Sequence, residues 1–314
     1  MLSRATRRSR RTRTEGVWYP RWFWPAFATP GVLWLALFFL LPFYVVFSIA
    51  FGTIDPIFRN PIPVWNPARW YTGNLTQVLH EIFGRGAFLG PAFLRTFGYV
   101  AAASGLCILI AYPVAYYVAR YAGPRRGLLL LLLIAPFWIS YMMRMLAWVN
   151  LLEADGLVNR GLSLFRLAGH PVNWLSGNPL TVIFGLVYGY IPYMILPLFA
   201  GLDRIDGRQL EAARDLGAGR TATFLRVTLP LSRQAILAGM VIVTLPMFGD
   251  YFTNDLLSGV PRTSMIGNLI DDAVGTPGQG TTAAVLVLIL MVILVAPMLY
   301  YVYSTSRATR QRAA

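Results

Sequence analysis

Two ionisable side chains, Arg144 and Asp250, lie inside long apolar runs of the 314-residue chain. A charge within a hydrocarbon core is costly, so such residues usually pair with each other or line a polar path through the protein. Two roles stay open for them: a structural ion pair, or a site that receives a charged solute. Pro246 and Gly249 come just before Asp250 and predict a break in its helix, and broken membrane helices are tolerated where they line a cavity.

Aromatic side chains on the same runs offer ring faces that can bind a cationic amine. These rings belong to Trp138, Tyr141, Tyr188, Tyr190, Tyr193, Phe248 and Tyr251. Aromatic residues in membrane helices more often pack or lie at the interface than bind a ligand, so no single ring is decisive. Taken together, the candidates for a substrate path are Asp250, Tyr251, Trp138, Tyr141, Arg144 and Tyr190.

The chain lacks the residues of several common catalytic sites. All 27 basic residues are Arg, and a P-loop needs a Lys on the β- and γ-phosphates, so we do not expect ATP hydrolysis by that route. Cys107 is the single Cys, which excludes a disulfide or a Cys-based metal site within one chain. His80 and His170 are far apart and have no ligand-spaced companions, so we expect structural roles for both. We therefore predict no catalytic residue, no metal site and no cofactor in this chain.

The elements that must position the charged and aromatic residues are long apolar helices. Apolar residues make up 56% of the chain and charged residues 13%, where roughly a quarter charged is usual for a soluble domain. Six runs are long enough to cross a hydrocarbon core of about 30 Å. They are Phe27–Phe51, Phe97–Ala119, Gly127–Leu152, Leu180–Leu202, Ala235–Phe252 and Ala283–Tyr303. We predict an all-α membrane protein with six transmembrane helices over residues 27–303, between a basic interfacial N-terminus (1–26) and a tail (304–314).

The distribution of Arg predicts the orientation of the helices. The N-terminus, the second and fourth loops and the tail hold 19 Arg residues, and the first, third and fifth loops hold seven. Because positively charged loops stay in the cytoplasm, both termini are expected there, in a bacterial plasma or inner membrane. The basic N-terminal run is expected to contact anionic lipid, and no nucleic-acid partner is expected.

The first outer loop, residues 52–96, is too long for a bare connector and contains an amphipathic pattern. Apolar residues recur at helical spacing behind a candidate cap at Asn74; they are Leu75, Val78, Leu79, Ile82 and Phe83. The pattern predicts a helix that lies at the outer interface or packs on the membrane helices.

The fourth loop, residues 203–234, has the pattern of two short helices joined by a corner. Asp206 and Gln209 fit a capping box at the start of the first helix. An apolar stripe follows at Leu210, Ala213 and Leu216, and a second one at Phe224 and Val227. Gly217 and Gly219 end the first helix where a left-handed cap is needed, and Pro230 fits the first turn of the next membrane helix.

The residues of this loop resemble the EAA loop of ATP-binding-cassette (ABC) importer permeases. Glu211-Ala212-Ala213 is followed at the family's spacing by Gly217, Val227 and Leu229-Pro230. The family usually has Ile where this chain has Val227, and often a Pro near Gln234. The resemblance implies a MetI-like ABC transporter type I permease fold, in which this loop is the coupling helix that docks on the ATPase. The residues assigned to coupling are Glu211, Ala212, Ala213, Asp215, Gly217, Leu229 and Pro230.

The chemistry of these residues suits a docking role. Ala212 and Ala213 are small and let a helix approach a partner closely. Glu211 can accept a charge-assisted hydrogen bond from a basic residue or backbone donor of the ATPase. Gly217 permits the corner, so that a rigid element joined to two membrane helices can convert closure of the ATPase dimer into a tilt of those helices.

Other segments resemble the first permease subunit of spermidine/putrescine importers. The matching stretches are Leu40-Leu41-Pro42-Phe43, Tyr112-Pro113, Pro136-Phe137-Trp138, Arg144, Trp148, Asp255–Gly259 and Met265–Ile270. Permeases for ferric iron, phosphonate, sulfate and thiamine share parts of these patterns and remain alternatives. The resemblance implies a second homologous permease subunit, two ATPase subunits that bind ATP and Mg, an extracytoplasmic substrate-binding protein, and membrane lipid around the chain.

Two further alternatives concern a helix contact and the class of protein. Gly185 and Gly189 form a GxxxG pair that fits either close approach of a partner helix or packing within the chain. A secondary transporter or channel would also explain six helices, and a membrane enzyme would need a cluster of catalytic groups. Neither gives a reason for the EAA spacing in a cytoplasmic loop.

Overall fold

The computed structural model describes residues 22–84, 87–165 and 170–313, with side chains up to residue 306. The chain forms two compact units, Met1–Val45 and Val46–Ala314. Residues 1–21 lie outside the described part, so the lipid contact of the basic N-terminal run stays a prediction. The predicted boundaries of the membrane domain, residues 27 and 303, also stay predictions.

The first membrane helix consists of α1 (Phe23–Leu35), a π-helical stretch (Ala36–Leu40) and α2 (Leu41–Ala50). Pro42 lacks an N–H, and in a regular α-helix its ring would clash with a carbonyl one turn earlier. The wider π-helical turn before it accommodates the ring without ending the helix.

The segment between the first and second membrane helices contains a short hairpin and the predicted amphipathic helix. Strands β1 (Thr53–Ile54) and β2 (Pro61–Ile62) pair antiparallel, a 3₁₀ turn covers Pro67–Arg69, and α3 spans Gly73–Phe83. Val78 and Ile82 are buried and Leu75 is half-buried, whereas Thr76 and Gln77 are exposed, which confirms an amphipathic helix. Leu79 and Phe83, predicted on the same apolar stripe, are exposed instead. The predicted cap is wrong: Asn74 lies within the helix, and its Nδ2 donates to the carbonyls of Ala50 and Gly52 at 3.0 and 2.9 Å.

The second membrane helix is continuous and the third is broken. Helix α4 spans Gly90–Arg120, and after a 3₁₀ turn (Gly123–Arg125) α5 covers Arg126–Ile134, followed by a second 3₁₀ turn at Ala135–Trp138. Helices α6 (Tyr141–Leu152) and α7 (Leu157–Leu164) come next, and the stretches before and after the break differ in direction by 84°. The prediction of one continuous helix over Gly127–Leu152 is therefore wrong. Pro136 cannot donate to the helix, and Ile139 and Ser140 adopt extended backbone angles.

The remaining helices alternate between long membrane helices and short connectors. They are α8 (Pro179–Asp203), α9 (Gly207–Asp215), α10 (Arg220–Thr223), α11 (Leu229–Phe248), α12 (Phe252–Leu257), α13 (Ile266–Gly275) and α14 (Gly280–Ala313), with a π-helical stretch at Phe224–Thr228. Among the described residues, five helical stretches are long and apolar enough to cross a membrane, and there are six if the bent third pair is counted as one span. The predicted all-α membrane fold is confirmed.

The core lies where α4 packs against α8 and α8 against α11. Small buried residues on α4, among them Ala103, Ala111 and Ala115, allow the helices to approach closely. Gly185 and Gly189 serve the same purpose within the chain, because a Cβ at Gly185 would overlap Leu257 and one at Gly189 would overlap Tyr141. Packing within the chain is thus the role that the structure gives the GxxxG pair.

Candidate functional site

In the loop of residues 203–234, Asp206 caps the first helix as predicted, but the return bond from Gln209 that would complete the predicted capping box is not among its hydrogen bonds. The Asp206 carboxylate accepts from the backbone N–H of Arg208 at 3.0 Å, which caps α9. Glu211, Ala212 and Asp215 are exposed on this helix, and Ala213 is half-buried. The face that carries the Glu-Ala-Ala residues is therefore open to a partner.

Gly217 forms the corner after α9 in the left-handed conformation, with φ +85°. The N–H of Gly217 donates to the carbonyl of Arg214 at 2.8 Å, and that of Ala218 donates to Ala213 at 3.0 Å. These two bonds are the Schellman pattern, which satisfies the last carbonyls of a helix. The predicted glycine corner is confirmed, and it fixes the direction in which the chain leaves α9.

Leu216, directly before the corner, is a candidate that the sequence reasoning assigned to an internal apolar stripe. Its side chain is 90% exposed, the highest value among the large apolar residues described in the chain. An apolar side chain at the tip of an exposed helix is suited to insertion into a partner's pocket. Its position immediately before a left-handed glycine is the signal that identifies it, because the helix ends there.

The second half of the loop is tied to two membrane helices. Phe224 contacts the rings of Tyr112 and Tyr116 edge-on, with centroids 5.7 and 5.8 Å apart. The Tyr112 hydroxyl lies 2.8 Å from the Ser232 hydroxyl on α11. Leu229, the first residue of α11, packs half-buried against the core, so the loop is joined to α11 and contacts α4 through Phe224.

Pro230 lies exposed in the first turn of α11, where its missing N–H costs least. The π-helical stretch Phe224–Thr228 directly precedes α11 and widens the turn before this proline. Arg220–Phe248 is therefore one continuous membrane helix that begins inside the coupling loop.

Asp250 lies at the predicted break and is 7% exposed. Helix α11 ends at Phe248, and the Asp250 carboxylate then accepts from the backbone N–H of Thr253 at 3.0 Å, at the start of α12. Its other oxygen accepts from the hydroxyls of Tyr141, Tyr190 and Thr253 at 2.8, 3.1 and 2.7 Å. The structure thus brings three predicted residues together: Tyr141 of α6, Tyr190 of α8 and Asp250 in the break between α11 and α12.

Arg144 is 6% exposed and lies among aromatic rings. Its guanidinium carbon is 4.0 Å from the ring centroid of Phe137, 5.5 Å from that of Tyr141 and 5.9 Å from that of Tyr188. In the part of the chain that the structure describes, the one ion pair joins Arg126 and Asp203 at 3.2 Å. The hypothesis of a structural ion pair between Arg144 and Asp250 is therefore wrong. Tyrosine and threonine hydroxyls donate hydrogen bonds to the Asp250 carboxylate instead.

A cavity of about 540 Å³ opens beside the break in the third helix. Its wall includes Phe137, Trp138, Tyr141, Arg144, Tyr190 and Tyr193. Trp138 is 79% exposed, so its ring is available to a ligand or a neighbouring subunit. Two other predicted rings lie elsewhere: Tyr251 stacks on Phe252 at 4.2 Å, and Phe248 packs against Phe97.

An acidic group follows Asp250 on α12 and α13. Asp255 accepts from the Asn268 side chain at 2.6 Å, and Asp271 and Asp272 are exposed. Burial raises the pKa of the Asp255 carboxyl, the hydrogen bond from Asn268 lowers it, and the neighbouring Asp271, Asp272 and Asp250 raise it further. The described residues contain no group of three His, Cys, Asp or Glu side chains that could hold a metal ion.

Comparison with known proteins identifies relatives over most of the chain. A family model described as "Binding-protein-dependent transport system inner membrane component" matches residues 32–309. The spermidine/putrescine transport system permease protein PotB of Haemophilus influenzae is 33% identical over 239 residues, 76% of this chain and 78% of that protein. PotB of Escherichia coli K12 is 32% identical over 238 residues, 76% of this chain and 81% of that protein. The inner membrane ABC transporter permease protein YdcU of Escherichia coli K12 is 32% identical over 231 residues, 69% of this chain and 73% of that protein.

Solved structures show the same fold at lower sequence identity. A chain of a bacterial alginate ABC transporter in complex with alginate pentasaccharide-bound periplasmic protein superposes with a TM-score of 0.70 at 18% identity, over 92% of this chain and 95% of that one. A second chain, from a bacterial ABC transporter involved in alginate import, gives a TM-score of 0.64 at 20% identity, over 91% and 96% of the two chains.

Proposed function

The chain belongs to the family of binding-protein-dependent transport system inner membrane components, and we propose that the importer it serves carries polyamines. It is the multi-pass permease subunit of an ABC importer in the inner membrane. The observation that carries the polyamine assignment is the 32–33% identity, over 76% of the chain, to permeases named for spermidine and putrescine.

The aromatic cavity beside Asp250 supports a cationic amine as the solute. The ring faces of Trp138 and Tyr190 can bind an ammonium group, as aromatic cages do for other cations. Behind them, the Asp250 carboxylate supplies the negative charge, and Tyr141 and Tyr190 hold it in one orientation. We assign these four residues to the substrate path; Tyr251 is adjacent to Asp250 in the chain but stacks on Phe252 instead.

The exposed coupling loop supports energy input from a separate ATPase. We propose that the importer contains two ATPase subunits, which bind ATP and Mg, and that one of them receives α9 through Glu211, Ala212, Ala213 and Asp215. Gly217 sets the corner, and Leu229 and Pro230 join the loop to α11. Closure of the ATPase pair would then tilt the helix Arg220–Phe248 and, through Phe224, helix α4.

The complete importer, as we propose it, contains further subunits on both sides of the membrane. A second homologous permease completes the path, an extracytoplasmic binding protein delivers the solute, and both termini of this chain lie in the cytoplasm. The Arg asymmetry of the loops supports this orientation.

Competition in a reconstituted importer tests the solute. The complex of both permeases, the ATPase and the binding protein is placed in proteoliposomes, and ATP-dependent uptake of labelled spermidine is measured with unlabelled competitors. Putrescine and spermidine should compete, whereas ferric iron, phosphonate, sulfate and thiamine should not. Uptake of one of these four solutes, with no transport of either polyamine, would refute the assignment.

A further inference from the structure

Arg144 is a buried cation whose hydrogen-bonding groups lack partners. Its Nε and Nη1 atoms are shielded from solvent and donate to no acceptor in the described chain. Two other arginines also have a buried, unpaired Nε, but each donates another N–H to a backbone carbonyl: Arg95 to Arg262, and Arg120 to Leu202 and Ile205. Arg144 is the exception among these three. Its guanidinium lies against aromatic rings and donates to no carbonyl among the described residues.

Rings alone do not satisfy a guanidinium. They stabilise its charge, but its five N–H groups need hydrogen-bond acceptors, and a buried charge without a counter-charge is strongly destabilising. A carboxylate matches the planar fork of a guanidinium better than any other side chain. The environment of Arg144 therefore calls for an Asp or Glu that approaches from the cavity.

This chain does not supply that carboxylate. Asp250, the acidic residue nearest in the site, is held by Tyr141, Tyr190 and Thr253. No other acid among the described residues lies within ion-pairing distance of Arg144. A polyamine cannot serve either, because it carries the same sign of charge.

The surface around the cavity fits a protein neighbour. Trp138, Ile139 and Met143 are 79%, 56% and 61% exposed next to the buried guanidinium. Such an apolar rim around one buried charge resembles the centre of a protein interface, where a charged pair is shielded by apolar contacts. A lipid phosphate is a poorer candidate, because it stays in the interfacial layer while Arg144 is 6% exposed.

We propose that Arg144 forms an ion pair with an Asp or Glu of the second permease subunit, which closes the aromatic cavity at the interface between the two permeases. The proposal rests on the second permease subunit described under the proposed function. Its readout is assembly of the two permeases without solute, so it is independent of which solute the importer carries.

The test uses the complete complex and two matched variants. Arg144→Gln removes the buried charge, and Arg126→Gln removes the charge of the exposed ion pair with Asp203. With an affinity tag on this chain, Arg144→Gln should lower the amount of co-purified second permease at least about tenfold. Arg126→Gln should leave it unchanged, because exposed pairs contribute little.

A rescue experiment identifies the acceptor. In the Arg144→Gln background, each Asp and Glu in the membrane helices of the second permease is changed to Asn or Gln. One of these changes should restore co-purification to within about twofold, because it removes the carboxylate that Arg144→Gln left unpaired. Failure of every such change to restore assembly would overturn the proposal.

Two other outcomes would also overturn it. If Arg144→Gln lowers the membrane level of this chain when it is expressed alone, the ring contacts stabilise the subunit itself. If co-purification is normal but uptake is lost, Arg144 acts on the solute. A failure of the polyamine assignment would instead appear as transport of a different solute by the wild-type complex, with the assembly result unaffected.

Discussion

Replacing Gly217 tests the geometry of the coupling loop with little disturbance elsewhere. Gly217 has φ +85°, and no atom lies within 4 Å of the position that a Cβ would occupy. A side chain here meets no steric obstacle, so its cost comes from the left-handed backbone alone. That cost is roughly 1–2 kcal/mol for an ordinary residue, and larger for a β-branched one.

The size of the effect follows from this cost. A penalty of roughly 1–2 kcal/mol lowers the equilibrium constant for forming the corner about 5- to 30-fold, so Gly217→Ala should reduce ATP-dependent uptake by up to that factor. Gly217→Val should abolish uptake, and Gly217→Asn should lose less than Ala because Asn tolerates this conformation. All three variants should remain in the membrane at normal levels, because Gly217 is exposed.

Gly219 provides a matched control two residues away. It also has open space around it, but its φ is −64°, which any residue adopts. Gly219→Ala should therefore transport near the wild-type rate when uptake in proteoliposomes is normalised to the amount of permease. Equal uptake by Gly217→Ala and Gly219→Ala would refute the argument that the left-handed corner positions the coupling helix.

Three further predictions concern the partner contact, the substrate path and the orientation. Leu216→Asp should weaken co-purification of the ATPase at least about tenfold, since burying a leucine contributes about 1.5–3 kcal/mol. The control Leu216→Met should retain co-purification, and normal binding by the Asp variant would exclude Leu216 from the contact. Asp250→Asn should lower polyamine uptake about 30-fold, on the order of 2 kcal/mol. The complex should stay intact, because the amide oxygen still accepts from the Tyr141 and Tyr190 hydroxyls and only the acceptor of the Thr253 N–H is lost; unchanged uptake would remove Asp250 from the path. A Cys at exposed Gln279 should react with an impermeant thiol reagent added outside cells and a Cys at Ser306 should not, and the reverse pattern would overturn the orientation.

Local rules were sufficient to predict the coupling loop. The cap at Asp206 and the corner at Gly217 depend on residues within a few positions of each other, and the structure has both. The exposure of Leu216 was not predicted, because it depends on the corner that Gly217 makes after it. A periodic pattern places Leu216 on the same stripe as Leu210, but the stripe ends at the helix cap.

The predictions for the substrate path were less accurate, because its geometry depends on contacts between distant segments of the chain. Arg144 and Asp250 are the two charges in the apolar runs, so pairing them was the simplest hypothesis. Tyr141 and Tyr190 supply enough donors to satisfy Asp250 without a cation, which no local pattern indicates. The break after Trp138 was missed for a related reason, because the run stays apolar through it and only Pro136 marks it.

The central claim is that ATP hydrolysis by a partner drives transport through this chain by way of α9. Reversing the charge at Glu211 tests it most directly, because this side chain is exposed and its change should not disturb the membrane helices. In proteoliposomes containing the complete importer, Glu211→Arg should abolish ATP-dependent spermidine uptake while the chain remains in the membrane at the wild-type level. Near-normal ATP-dependent uptake by Glu211→Arg would contradict the account.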